Sequence, residues 1–215
     1  MIRILVVDDH DIVRMGIVRM LADIDEFDIV GEAESGEESL SKVRQLTPDV
    51  VLMDVKMPGI GGLEATKKLL VAHEGLKVIA LTALDDNIFP TKLMQAGAMG
   101  YLTKGTGLTE MVEAIKMVYN GRHYMSNSIA QQMAMKNFVD DSRTPFEKLS
   151  ERELQTALMI ANGRKAQEIA NTFNVSPKTV NSYRYRIFDK LSINSDVELA
   201  LLAVKHGVLN VEVDD

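Results

Sequence analysis

Val50-Val51-Leu52-Met53-Asp54-Val55-Lys56-Met57-Pro58-Gly59 is the stretch on which the fold turns. Val50 to Met53 is a short, β-branched apolar run, and Pro58-Gly59 forces a turn soon after it. Such a run reads as a strand buried on both faces, as in a parallel sheet. Asp54 then stands at the C-terminal edge of that strand, where open α/β sheets bind ligands. Taken alone, Asp54 reads equally well as a turn or cap residue.

Three other strand ends add to it. Ile2 to Val7 is a second apolar strand and ends in Asp8-Asp9. Val78 to Leu81 ends in Thr82, and Gly100-Tyr101-Leu102-Thr103-Lys104 ends in a lysine. Three carboxylates, a hydroxyl and an ammonium gather at one sheet edge. Adjacent carboxylates repel, and a bound cation keeps them charged. A few oxygen ligands with room for water and phosphate oxygens suit Mg2+. A lysine and a hydroxyl beside them suit a phosphoryl group in transfer.

The intervening segments read as helices. They cover about residues 11–23, with Ile12, Met15, Val18 and Met20 as the apolar set, and a segment opened by the capping box Ser35-Gly36-Glu37-Glu38. Others cover 63–73, with Leu63, Ala65, Thr66, Leu69 and Leu70 inward, then about 87–95, with Pro90 in the first turn, and 109–119. Strands lie at 3–7, 27–33, 50–54, 77–81 and 100–102. Five alternations predict a doubly wound, five-stranded parallel sheet of flavodoxin-like order 2-1-3-4-5. Strands 1 and 3 are then neighbours, which brings Asp8, Asp9 and Asp54 together. Gly59-Ile60-Gly61-Gly62 has the spacing of a dinucleotide loop only in part. It follows the third strand, and Glu64 stands where the last glycine belongs.

Asp8-Asp9, Asp54 followed by Met57-Pro58-Gly59, Thr82-Ala83, Tyr101 and Lys104 together resemble the receiver domain of a two-component response regulator, over about the first 120 residues. The resemblance implies that Asp54 accepts phosphate from a sensor histidine kinase. It implies that Asp9, Asp54 and the backbone carbonyl of Lys56 hold Mg2+ directly, with Asp8 acting through water. Lys104 pairs with the acyl phosphate, and Thr82 and Tyr101 form the switch pair. Gly105 stands where the family usually has a cis proline.

The 215 residues suffice for two small domains, and 46% hydrophobic with 26% charged residues is ordinary for a globular protein. Without cysteine, disulfides, thiol catalysis and thiolate metal sites are excluded. No apolar run approaches the roughly 20 residues of a membrane span. Met1-Ile2-Arg3 runs straight into a strand without a signal-peptide pattern, so a cytoplasmic protein is expected. The net charge of −7 is unevenly spread. Residues 1–122 carry 13 Lys and Arg against 19 Asp and Glu, a balance of −6. Residues 164–190 carry Arg164, Lys165, Lys178, Arg184, Arg186 and Lys190 against Glu168 and Asp189, a balance of +4. An acidic first domain is followed by a basic patch.

The receiver-like domain is expected over 1–122. A linker with one helix, about 126–138, is expected over 123–148, its flexible part being 140–145. A small all-α domain follows over 149–210, then a tail, 211–215. Ser150-Glu151-Arg152-Glu153 is a capping box opening a helix to about Ile160. A short helix covers 166–173. After Asn174-Val175, Ser176-Pro177 opens a helix to about Leu191, with serine as N-cap and proline at the first helical position. Ser195-Asp196-Val197-Glu198 opens the last helix, to His206. A short helix, a tight turn and a polar second helix fit a helix-turn-helix; a plain helical bundle is the alternative. Lys178, Thr179, Asn181, Ser182, Tyr183, Arg184, Tyr185 and Arg186 on the second helix supply cations for phosphates and amide, hydroxyl and phenol groups for bases. Val180, Ile187 and Leu191 form its buried stripe.

Leu149-Ser150-Glu151-Arg152-Glu153-Leu154, Glu168-Ile169-Ala170, Val175-Ser176-Pro177-Lys178-Thr179-Val180 and Lys190-Leu191 resemble the DNA-binding domain of the LuxR/NarL/FixJ regulators. The whole chain is similar to the GacA/UvrY type among them. Asn181, Ser182, Tyr183 and Tyr185 depart from the Lys, Arg and His usual near those positions. The expectation is a DNA-binding transcription regulator, switched by phosphorylation, that binds an inverted repeat of double-stranded DNA as a homodimer, with Leu199, Leu202 and Ala203 of the last helix helping to form it. Two rivals are a Mg2+-dependent phosphatase and a protein-binding adaptor. Lys56 stands where such phosphatases carry a second Asp, and salt-dependent DNA affinity would reject the adaptor.

Overall fold

The computed structural model describes residues 1–82, 89–136 and 144–209. These group into two compact units, the first holding 1–82 and 89–136, the second 144–209. Ala83, the expected helix start at Asn87, Phe138, the linker residues 140–143 and the tail 211–215 lie outside the described residues.

The first unit alternates strands and helices in this order: β1 Ile2–Val7, α1 Asp11–Ala22, β2 Phe27–Ala33, α2 Gly36–Leu46, β3 Val50–Asp54, α3 Gly61–Ala72, β4 Lys77–Thr82, α4 Phe89–Gln95, β5 Gly100–Thr103, α5 Leu108–Tyr119, β6 Tyr124–Met125 and α6 Asn127–Lys136. The strands form one sheet of order β2-β1-β3-β4-β5-β6, and every pair is parallel. The expected order 2-1-3-4-5 holds, with a sixth strand added at the β5 edge. Tyr124 N donates to Met99 O at 2.9 Å and Ser126 N to Tyr101 O at 3.1 Å, so two residues after α5 satisfy carbonyls that an edge strand leaves open.

Val50 to Asp54 is wholly buried, as expected for a strand covered on both faces. The register sets Val7 against Met53 and Asp54 against Leu81, so Asp8 and Asp54 emerge side by side. Ile4, Val6, Leu52, Ile79, Leu81 and Leu102 pack against Ile17 and Leu21 of α1 and Met111, Ile115 and Val118 of α5.

The apolar residues of α1 do not all lie on its inner face. Ile12 and Met15 are 87% and 65% exposed, while Arg14, Ile17 and Leu21 are buried. Arg14 goes inward because oxygens await it: Nη1 donates to Asp8 O at 2.7 Å, and the guanidinium bonds Asp11, Glu32 and Glu34. Its pKa is raised, since these partners outweigh the opposing effect of burial. On α3, Leu63, Ala65, Thr66 and Leu69 are buried as expected, and Leu70 is half-buried.

The second unit has a 3-10 turn Pro145–Lys148 followed by α7 Glu151–Ala161, α8 Ala166–Phe173, α9 Pro177–Leu191 and α10 Asp196–Lys205. The segment expected as a linker, 123–148, is thus shared out. β6 and α6 build onto the sheet, and Phe146 is buried in the helical unit, its ring 6.4 Å from that of His206. Ser150 and Glu153 form the full reciprocal capping box on α7. At Ser35 and Ser195 only half of each box forms. The serine accepts from Glu38 N or Glu198 N, but the glutamate accepts from the residue before the serine, Glu34 or Asn194.

Candidate functional site

Two places in the chain concentrate chemistry. The first is the C-terminal edge of β1, β3 and β5. Asp8 and Asp54 are almost fully buried, and Lys104 Nζ reaches Asp8 Oδ2 at 2.8 Å and Asp54 Oδ2 at 2.9 Å. Asp54 Oδ1 accepts from Lys56 N at 3.2 Å. The ligand atoms of Asp8, Asp9, His10 and Asp54 lie within 4.8 Å of one another. Burial pushes the Asp54 carboxyl up to about 6, with Asp8 adding to the effect and Lys104 opposing it. Lys104 is pulled the other way. Burial disfavours its charge, but Asp54 and Asp8 outweigh burial and raise its pKa. One ammonium thus serves two buried carboxylates, and a further cation is favoured. Asp9 Oδ1 is cut off from water and accepts no hydrogen bond; its polar neighbour is the His10 ring, with Nδ1 at 2.9 Å.

The loop after β3 is held closed over this edge. Gly62 N donates to Val55 O at 3.1 Å, and a Cβ on Gly62 would sit 1.9 Å from Asp54 O. Gly59 adopts φ +79°, and Glu37 at the start of α2 accepts from Ile60 N at 3.0 Å. The glycines serve a sharp turn and a close helix–strand approach, which accounts for their partial likeness to a nucleotide loop. Thr82 ends β4 one residue past the partner of Asp54, and its side chain is buried. Tyr101 is wholly buried on β5. The sequence reading omitted two residues here, His10 and Arg14. The adjacency of His10 to the acid pair was a usable signal. An arginine on the inner side of an amphipathic helix is legible only once its oxygens are known.

The second place is α9. Asn174 turns the chain between α8 and α9 at φ 53°, and Ser176 Oγ accepts from Thr179 N at 3.1 Å. Val180, Ile187 and Leu191 are buried as expected. Lys178, Asn181, Ser182 and Tyr185, at spacing i, i+3, i+4, i+7, make one exposed face, Tyr185 being 73% exposed. Arg186 lies beside it, its guanidinium 5.0 Å from the Tyr183 ring. Arg184 is on the other flank, ion-paired to Asp196 and over the Phe188 ring. Thr179 is engaged with Ser176 Oγ at 2.9 Å. Lys190 Nζ pairs with the buried Glu153 at 2.6 Å, tying α9 to α7. On α10, Leu199 and Ala203 are buried in the unit rather than available to a partner. The exposed apolar residues there are Val197, Leu201 and Val204.

Among the described residues no helix is long and apolar enough to cross a membrane. Residues 4–116 match the response regulator receiver domain family, and residues 147–203 match the luxR family of bacterial regulatory proteins. The chain is 64% identical to the response regulator GacA of Pseudomonas viridiflava, over 98% of this chain and 99% of that one. It is 53% identical to the response regulator UvrY of Escherichia coli, over 99% and 98%. Among solved structures it resembles a two-component response regulator RcsB–DNA complex, at 25% identity and a TM-score of 0.59, covering 94% of this chain and 98% of that one. With one family over the sheet unit, the other over the helical unit and these relatives along the whole length, the chain belongs to the LuxR-type response regulators, DNA-binding transcription regulators of two-component systems, close to the GacA/UvrY type.

Proposed function

We propose that Asp54 is the phosphoacceptor and that its phosphorylation controls how α9 binds DNA. The reading rests above all on the convergence of Asp8, Asp9, Asp54 and Lys104 at one sheet edge. In the transfer, an Asp54 carboxylate oxygen attacks the phosphorus of a phosphohistidine on a sensor kinase. The new O–P bond forms as the P–N bond breaks, and the pair of electrons stays on the imidazole. Lys104, already within 2.9 Å of Asp54 Oδ2, holds its positive charge beside the phosphoryl oxygens. Asp9, Asp54 and the Lys56 carbonyl would hold Mg2+, with Asp8 acting through water. When bound, the ion neutralises the crowded carboxylates and the incoming phosphoryl group. Thr82, at the end of the neighbouring strand, follows the new phosphoryl group, and buried Tyr101 on β5 follows Thr82.

In the helical unit, Lys178 and Arg186 contact phosphates, while Asn181, Ser182 and Tyr185 face base edges in the major groove. Thr179, Tyr183 and Arg184 set the helix at the phosphate rim. That a similar chain, RcsB, is solved as a complex with DNA supports DNA as the ligand. The stripe Val197, Leu201 and Val204 on α10 joins two copies, so that two α9 helices meet an inverted repeat. Such a protein works in the cytoplasm, where kinase and chromosome are both in reach. Incubation with acetyl phosphate and Mg2+ should place one base-labile phosphoryl group per chain, on Asp54. Undiminished labelling of Asp54→Asn would overturn the assignment.

A further inference from the structure

We propose that His10 is a nitrogen ligand of the pocket's cation, and that it tilts the site toward borderline transition-metal ions such as Ni2+, Co2+ and Zn2+ relative to Mg2+. The proposal rests on the reading of the pocket as a cation site and adds a ligand to it. His10 is fixed at the pocket by its own backbone, since its N–H donates to Asp8 Oδ1 at 2.9 Å. Its ring then folds back over the carboxylates. Nδ1 lies 2.9 Å from Asp9 Oδ1 and 3.3 Å from Asp8 Oδ1. His10 is the N-cap of α1, yet its side chain makes no cap hydrogen bond, so the helix does not account for the ring's position.

The spacing fits a ligand pair. Two groups cis on an octahedral ion with bonds of about 2.1 Å stand roughly 3 Å apart. Asp9 Oδ1 and His10 Nδ1 have that separation, and Asp9 Oδ1 is cut off from water. Lys104 meets Asp8 Oδ2 and Asp54 Oδ2, whereas the His10 ring meets the other Asp8 oxygen, Oδ1, and Asp9 Oδ1. The His10 side chain is 53% exposed, so an ion reaches it from solvent. The bland alternative is an imidazole that serves only as a polar partner of Asp9 and Asp8, for which Nδ1 is equally placed.

The two readings differ in metal preference. A site of oxygens alone suits Mg2+, whereas one imidazole raises affinity for Ni2+, Co2+ and Zn2+ much more than for Mg2+. A transition ion seated there competes with Mg2+ for the same carboxylates.

The test is calorimetric titration of Ni2+ and of Mg2+ into the full chain, wild type and His10→Asn, with excess Mg2+ used to identify the Ni2+ that sits in the pocket rather than on His73, His123 or His206. The expected result is one Mg2+-displaceable Ni2+ site whose affinity falls tenfold or more in His10→Asn, while Mg2+ affinity falls by less than threefold. Cu2+ in that site should show nitrogen splitting in its electron paramagnetic resonance spectrum, lost in the variant. An unchanged Ni2+ affinity, or an equal fall for both ions, overturns the proposal. If the wild-type chain binds Mg2+ normally in that outcome, only the role of His10 is wrong. If it binds no Mg2+ in the pocket, the cation site itself is wrong.

Discussion

Asp54 carries a conflict between its burial and its charge. Burial pushes its carboxyl up to about 6 in the folded chain, from an ordinary 3.8. The folded protein therefore holds an extra proton between about pH 4 and pH 6, and stability from this group is greatest below that window and falls as pH rises through it. The neutral Asp54→Asn side chain should stabilise the cation-free receiver at pH 7.5, by at most about 3 kcal/mol, and have little effect at pH 4. Urea unfolding with a chelator at both pH values checks this. A variant less stable than wild type at pH 7.5 would mean that the Lys104 pair outweighs desolvation. Gly62 makes a harder demand. Because a Cβ would lie 1.9 Å from Asp54 O, Gly62→Ala should cost at least about 1–3 kcal/mol and displace the phosphoacceptor. Thermal unfolding and acetyl phosphate labelling should fail together. Asp8, Asp9, Asp54 and Lys104 were legible in the sequence, because each lies at or just past the end of a strand and the topology alone brings them together. Arg14 was not, because its burial depends on Glu32 and Glu34, acids from the next strand and loop.

At the level of elements, α9 should separate affinity from specificity. Lys178→Ala should weaken binding to all sequences alike and flatten the salt slope by about 0.9. Asn181→Ala or Tyr185→Ala should instead change the preferred sequence, at roughly 1–3 kcal/mol per lost base contact. Selection of bound sites from a random pool distinguishes these outcomes, and the same preferred site for both variants would sink the division. Arg184→Ala should act partly through the fold, since it unpairs Asp196 at the start of α10. The long elements were legible from their periodicity and caps: β1 to β5, α8 and α9 lie where apolar runs and Ser-Pro or Asn turns put them. The errors have physical causes. A two-residue strand such as β6 has no hydrophobic pattern to detect. On α1, Ile12 and Met15 have the composition of a core face, but they lie opposite the side that Arg14 takes.

Across the whole molecule, charge is the asymmetry to test. The first 122 residues carry −6 and residues 164–190 carry +4. We expect the unphosphorylated receiver to hinder DNA binding or dimer formation, with a coupling of about 1–3 kcal/mol, or roughly 5–150-fold in affinity. Comparison of the full chain, phosphorylated and not, with a fragment from Thr144 on one DNA site at fixed salt measures it. If all three bind equally, control lies elsewhere, for instance in contacts with polymerase. Salt at cell strength screens all but close charges, so the difference should shrink as salt rises. The division of labour between the units also bears on where the chain is cut. Because β6 hydrogen-bonds the carbonyls of Met99 and Tyr101, a receiver fragment ending at residue 122 exposes the raw flank of β5, an adhesive edge that invites a second chain to add its own strand. Carried on through α6, the fragment keeps its own selvedge and should stay monomeric where the shorter one sticks to itself.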